Sequence, residues 1–113
     1  MDYRILIVTA VMILLDIAVG FVGAVKEKSV QSSKLREGLW RKAGFVGLIV
    51  VACVIEYAVA YAELGFDVPT VLAVCTYIIV TEAVSVFENL CVLNPALVEG
   101  PLGSIFSMEA KVR

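Results

Sequence analysis

Three carboxylates stand near the middle of three long apolar runs: Asp16, Glu56 and Glu82. Ser85, Glu88 and Asn89 follow Glu82 at spacings that extend its helical face or flank it. An acid at the centre of a bilayer costs about 2.5–3.5 kcal/mol on insertion scales, so such residues mark water-facing paths or contacts between helices. Both readings stay open for this set: the lining of an aqueous pore, or an interhelical polar face. No lysine or arginine lies deep within the runs, so the acids are expected to lack a basic partner. A bundle of this kind has two natural states, one compact and dry, the other open with hydrated acidic walls.

Other chemistry is poorly provided for. The chain has no histidine, which removes the commonest metal ligand and general base. It offers no Ser-His-Asp set, no metal-ligand cluster and no Gly-rich phosphate loop, so neither catalysis nor a cofactor nor a metal is expected. Cys53, Cys75 and Cys91 lie inside apolar runs without a C-x-x-C pairing and read as small buried residues.

The composition identifies the solvent. Of 113 residues, 61% are hydrophobic and 18% charged, against about 45–50% and about 25% in soluble domains; the mean hydropathy is +0.98. The whole chain, 1–113, is expected to form one small all-α membrane domain. The net charge of −2 hides an asymmetry. Lys26, Lys28, Lys34, Arg36, Arg41 and Lys42 crowd one polar stretch. A basic loop between spans explains that cluster without nucleic acid as a partner.

The runs predict transmembrane helices over about 5–25, 43–64 and 70–93, with a tail at 96–113. The first is expected to be a retained span rather than a removed signal peptide, because Asp16 interrupts it and it exceeds an ordinary signal core. Thr9, Asp16, Gly20 and Gly23 share one face, and small residues on such a face permit close helix approach. In the second run Gly44 and Gly47 open the span, and Ala52, Glu56, Ala60 and Glu63 form a stripe; Gly44, Gly47, Ala52 and Ala60 are expected, like Gly20 and Gly23, to pack against other helices. Ser32-Ser33 before Leu35-Arg36-Glu37 predicts a short cytoplasmic surface helix over about 34–41, feeding into the second span. Trp40 suits the headgroup level. Pro69 suits the first turn of the third helix, and Asn94-Pro95 its end. A short basic loop stays cytoplasmic, which places the N-terminus and the 65–69 link outside and the C-terminus inside. Three short helices cannot enclose a protein-sized hole, so an oligomer is expected.

In order and polarity these pieces resemble the bacteriophage holins of the toxin-secretion/phage-lysis group. The resemblance runs from Leu15-Asp16 with Gly20, Ala24 and Lys26 to Lys28, through Ser32-Ser33, Gly38, Arg41-Lys42 and Gly44. It continues through the acidic link closed by Pro69 to Glu82-Ala83, Ser85 and Glu88-Asn89. It implies a multi-pass protein of the bacterial cytoplasmic membrane whose partners are its own copies and the lipid bilayer. Assembly would permeabilise the membrane and let an endolysin or a toxin cross, without direct contact being required. Two alternatives come from other classes: a small ion- or proton-coupled transporter using Glu56 or Asp16, and an accessory subunit of a larger membrane complex. Small multidrug exporters, to which the transporter reading appeals, need four spans, and this chain offers three.

Overall fold

The computed structural model describes residues 3–26 and 32–101. Three helices account for nearly all of them: α1 (Tyr3–Lys26), α2 (Ser32–Tyr61) and α3 (Thr70–Leu93), followed by a short 3-10 turn, Pro95–Glu99. All three are long and apolar enough to cross a membrane. Their outward faces are unsuited to water: Ile7, Leu14, Phe21, Val54 and Tyr57 are among many large apolar side chains left exposed. Within hydrocarbon these faces need no cover, and helices meet every backbone hydrogen bond internally. The chain is a multi-pass, all-helical membrane protein.

The central element is α3. It packs along α1 on one side and against α2 on the other. Val71, Cys75, Ile78, Thr81, Glu82, Val84 and Val86 are buried along it. Its α1 contact is close because α1 presents glycine: a Cβ on Gly20 would lie 3.3 Å from Asn89 Nδ2, and one on Gly23 would lie 3.6 Å from Val92. Small residues at such a seam let the backbones approach. Gly20→Leu is accordingly expected to lower bundle stability by about 1–3 kcal/mol through overpacking. The denaturation midpoint in detergent micelles measures it, and an unchanged midpoint would remove Gly20 from the seam. Ala52 of α2 clusters with Val71 and Cys75 of α3, and Ile5 and Leu6 of α1 pack against that cluster. Phe45 of α2 meets Tyr77 of α3 edge-on at 6.3 Å.

Two local features depart from the sequence reading. The basic segment is no separate surface helix: α2 runs unbroken from Ser32 to Tyr61. Between Ser33 and Gly44 only Gly38 is a poor helix former, and Arg41 and Lys42 tie the end of the segment to α1 and α3, so the helix carries through. At its other end α2 stops at Tyr61, short of Leu64. Glu63 and Gly65 there take positive φ of 51° and 83°. That left-handed turn is free for glycine but strained for glutamate. Asn94 closes α3, its backbone N–H donating to the Leu90 carbonyl, while its side chain accepts from Ala96 N. Of the predicted tail, residues 102–113 lie outside the described residues.

Candidate functional site: a buried ion cluster between the helices

The register of the three helices brings charge to one level. Antiparallel packing of α2 on α3 pairs Ala52 with Val71, Phe45 with Tyr77 and therefore Lys42 with Glu82. Parallel packing of α1 on α3 brings Asp16 to Asn89. Lys42 Nζ lies 2.6 Å from Asp16 Oδ2 and 3.4 Å from Glu82 Oε2. Arg41 adds a longer contact, 3.4 Å, to the same Asp16 oxygen, and approaches Ser85 Oγ at 3.5 Å. Asn89 Nδ2 donates to Asp16 Oδ1 at 3.1 Å. One ammonium thus stands between two carboxylates, with both oxygens of Asp16 satisfied.

Burial is deep. Asp16 is 4% exposed, Lys42 7% and Glu82 0%. Charges taken out of water are tolerated only when paired and hydrogen-bonded. Asp16 meets that condition. Glu82 does not: neither of its oxygens has a hydrogen-bond partner, and its nearest compensating charge is Lys42, with Arg41 further off. The two acids therefore differ in kind despite similar positions in their helices.

The cluster closes the inner end of a cleft of about 970 Å³ between the N-terminal turns of α2 and the α1–α3 pair. Glu37, Gly38, Arg41 and Lys42 line one wall, and Gly20, Ser85, Glu88 and Asn89 are on the other. At this end of the bundle, Lys26 Nζ donates to the carbonyls of Val92 and Leu93, at 2.9 and 3.0 Å. It meets the unpaired carbonyls that end α3.

The remaining residues singled out in the sequence divide. Asp16, Glu82, Ser85 and Asn89 come together, and exposed Glu88 lines the same cleft. Glu56 does not join them. It is half-buried at the opposite end of the bundle, where Oε1 accepts from Val71 N at 3.4 Å. Along α3 that is about 16 Å from Glu82 at 1.5 Å per residue. There it meets a first-turn N–H of α3 and the positive end of that helix's dipole. Glu56→Ala is expected to lower stability by about 1 kcal/mol, the usual worth of such a cap, as read from the denaturation midpoint; an unchanged midpoint would remove the capping role. Of the small residues expected to pack in α2, Ala52 is buried in the helix contact, whereas Ala60 is exposed at the very end of α2 and a Cβ on Gly44 or Gly47 would meet nothing, because these two glycines face away from α1 and α3 within the subunit. Arg36 is exposed; Lys28 and the side chain of Lys34 lie outside the described residues.

The expectation that no basic residue partners the acids is overturned. Lys42 and Arg41 precede the apolar run of α2 and read as surface residues. Because α2 is helical through them and is shifted along its neighbours, its register sets them beside the middles of α1 and α3. A signal was present in the sequence: two helices with a central acid, and a third run with two cations at its edge.

Comparison with known proteins gives one positive finding: a match to the bacteriophage holin family over residues 2–99. No curated protein and no solved structure matches the chain. The matched region takes in all three spanning helices and every residue of the ion cluster, and the chain belongs to the bacteriophage holin family.

Proposed function

We propose that this chain is a phage or prophage holin of the bacterial cytoplasmic membrane. Copies accumulate as closed bundles, then assemble through the 1–113 membrane domain and permeabilise the membrane. An endolysin or another protein then crosses, giving lysis or toxin secretion. The observation that carries the reading is the family match across the spanning helices. The physical requirement agrees with it: a wet hole needs polar walls, and Asp16, Glu82, Ser85, Glu88 and Asn89 lie along the facing sides of α1 and α3. A holin acts without catalysis, and among the described residues no group of acids or cysteines is arranged to hold a metal. The transporter alternative has no fourth span to draw on among the described residues.

The orientation belongs to the same proposal: N-terminus outside, basic segment and C-terminus inside. A topology reporter at Ser33 is expected to be cytoplasmic and one at Asp67 external, and reversed labelling would contradict this. Inducible expression beside a cytoplasmic endolysin tests the function. Turbidity should hold steady, then fall abruptly, and the fall should require the endolysin. Continued growth at full membrane potential would refute the holin reading.

A further inference from the structure

We propose that the N-terminal turns of α2, Ser32–Lys42, form a built-in clasp that holds the subunit shut by covering the acidic face of α1 and α3. Its consequence for lysis, though not its geometry, rests on the holin reading. Three observations converge on it. First, this segment is the most polar stretch of any spanning helix, its sequence holding Ser32, Ser33, Lys34, Arg36, Glu37, Arg41 and Lys42, yet from Glu37 to Lys42 it runs beside the half of α1 and α3 that leads from the ion cluster toward Lys26. Second, the charged contacts that hold it there gather at its last two residues, Arg41 and Lys42, on Asp16 and Glu82. Above those contacts α2 packs on α3; below them the cleft separates it from both neighbours. Third, Gly44 and Gly47 come immediately after the contacts and face open space. Packing does not require glycine at either place, nor at Gly38 within the segment, and glycine weakens a helix interior, so α2 bends more readily over Gly38–Gly47 than in its apolar half; of these, Gly44 and Gly47 lie past the charged contacts and can serve as the hinge.

Release follows from these parts. When Lys42 leaves the two carboxylates, Ser32–Lys42 turns about Gly44–Gly47 toward the membrane surface, where its lysines, arginines and Trp40 are well solvated. Asp16, Glu82, Ser85 and Asn89 are then uncovered together. In the closed subunit the Lys42 ammonium occupies the space that water or a second copy takes in the open one. Glu82, buried with no hydrogen bond, favours release because opening hydrates it.

Distance measurement on the full chain in lipid vesicles tests the clasp directly. Cys53, Cys75 and Cys91 are replaced by alanine, and nitroxide labels are attached at Phe21→Cys on α1 and Leu39→Cys on α2, exposed positions on opposite walls of the cleft. With Lys42 present the distance distribution is expected to be single and short. Lys42→Gln should add a longer population that raises the open fraction roughly ten-fold or more, because one buried partner has been removed. Lys42→Arg, which keeps a cation between Asp16 and Glu82, should restore the short distance, which also controls for misfolding in the neutral variant. In cells, Lys42→Gln should lyse early and Lys42→Arg close to the normal time. An unchanged distance in Lys42→Gln, or a Lys42→Arg chain as open as Lys42→Gln, overturns the clasp. Opening of the labelled helices as described, with no variant ever permeabilising a membrane, would leave the clasp standing and remove the holin reading.

Discussion

Asp16→Leu is expected to destabilise the closed bundle by about 3–5 kcal/mol, the usual consequence of removing one partner from a buried ion pair. The loss goes beyond one contact. Lys42 keeps Glu82 alone at 3.4 Å, Arg41 loses its carboxylate, and Asn89 loses the acceptor for its amide. In a Glu82→Leu background, where no second carboxylate depends on Lys42, adding Lys42→Leu to Asp16→Leu should recover most of the stability, because replacing both partners by apolar groups is nearly neutral. Equilibrium denaturation in mixed micelles, run as a double-mutant cycle, gives the coupling directly. Additive losses would mean that the two side chains do not act as a pair. In cells, Asp16→Leu should still insert but shift the time of lysis or abolish it.

Glu82→Leu is expected to act in the opposite direction. Glu82 is wholly buried, makes no hydrogen bond and is second in line for the single Lys42 charge. An unsatisfied buried acceptor costs about 1–3 kcal/mol, so an apolar side chain of similar length should stabilise the closed state by about 1–2 kcal/mol. Asp16 and Lys42 then remain as a balanced pair at 2.6 Å. If opening requires separating α2 from this site, the added stability delays lysis, whereas Lys42→Gln hastens it. The denaturation midpoint and the onset of turbidity loss should therefore rise together. A lower midpoint in Glu82→Leu would show that the second carboxylate holds the cluster rather than straining it. Unaltered lysis timing in both Asp16→Leu and Glu82→Leu would take the carboxylates out of the mechanism.

The parts of the fold that depend on local pattern were legible in the sequence. Apolar length gave the three spans, Pro69 and Asn94-Pro95 gave the limits of α3, and the Thr9-Asp16-Gly20-Gly23 face of α1 is the one that approaches α3. The parts that depend on register were not. Glu56 sits at the centre of its own apolar run but level with the first turn of α3, because α2 is shifted along its neighbours. That same shift draws Lys42 in from the edge of its run to the middle of theirs. Helical periodicity fixes which residues share a face and says nothing of how far one helix slides past another; side-chain pairs such as Phe45 with Tyr77 set that offset. The basic segment shows the same limit. Its charge pattern suits a surface helix, while α2 runs through it unbroken and its last two residues, Arg41 and Lys42, reach into the bundle. Both descriptions apply to the clasp in its two positions.

Permeability of a bilayer to a folded protein is the most direct measure of the activity proposed for this chain. The purified protein would be reconstituted into vesicles of bacterial lipid loaded with a fluorescent protein, at increasing protein-to-lipid ratio. The holin reading predicts little efflux at low ratio, then a steep rise past a threshold as copies assemble, with Lys42→Gln reaching the threshold sooner. Vesicles that retain the fluorescent protein at every ratio, with the chain correctly inserted, would contradict it.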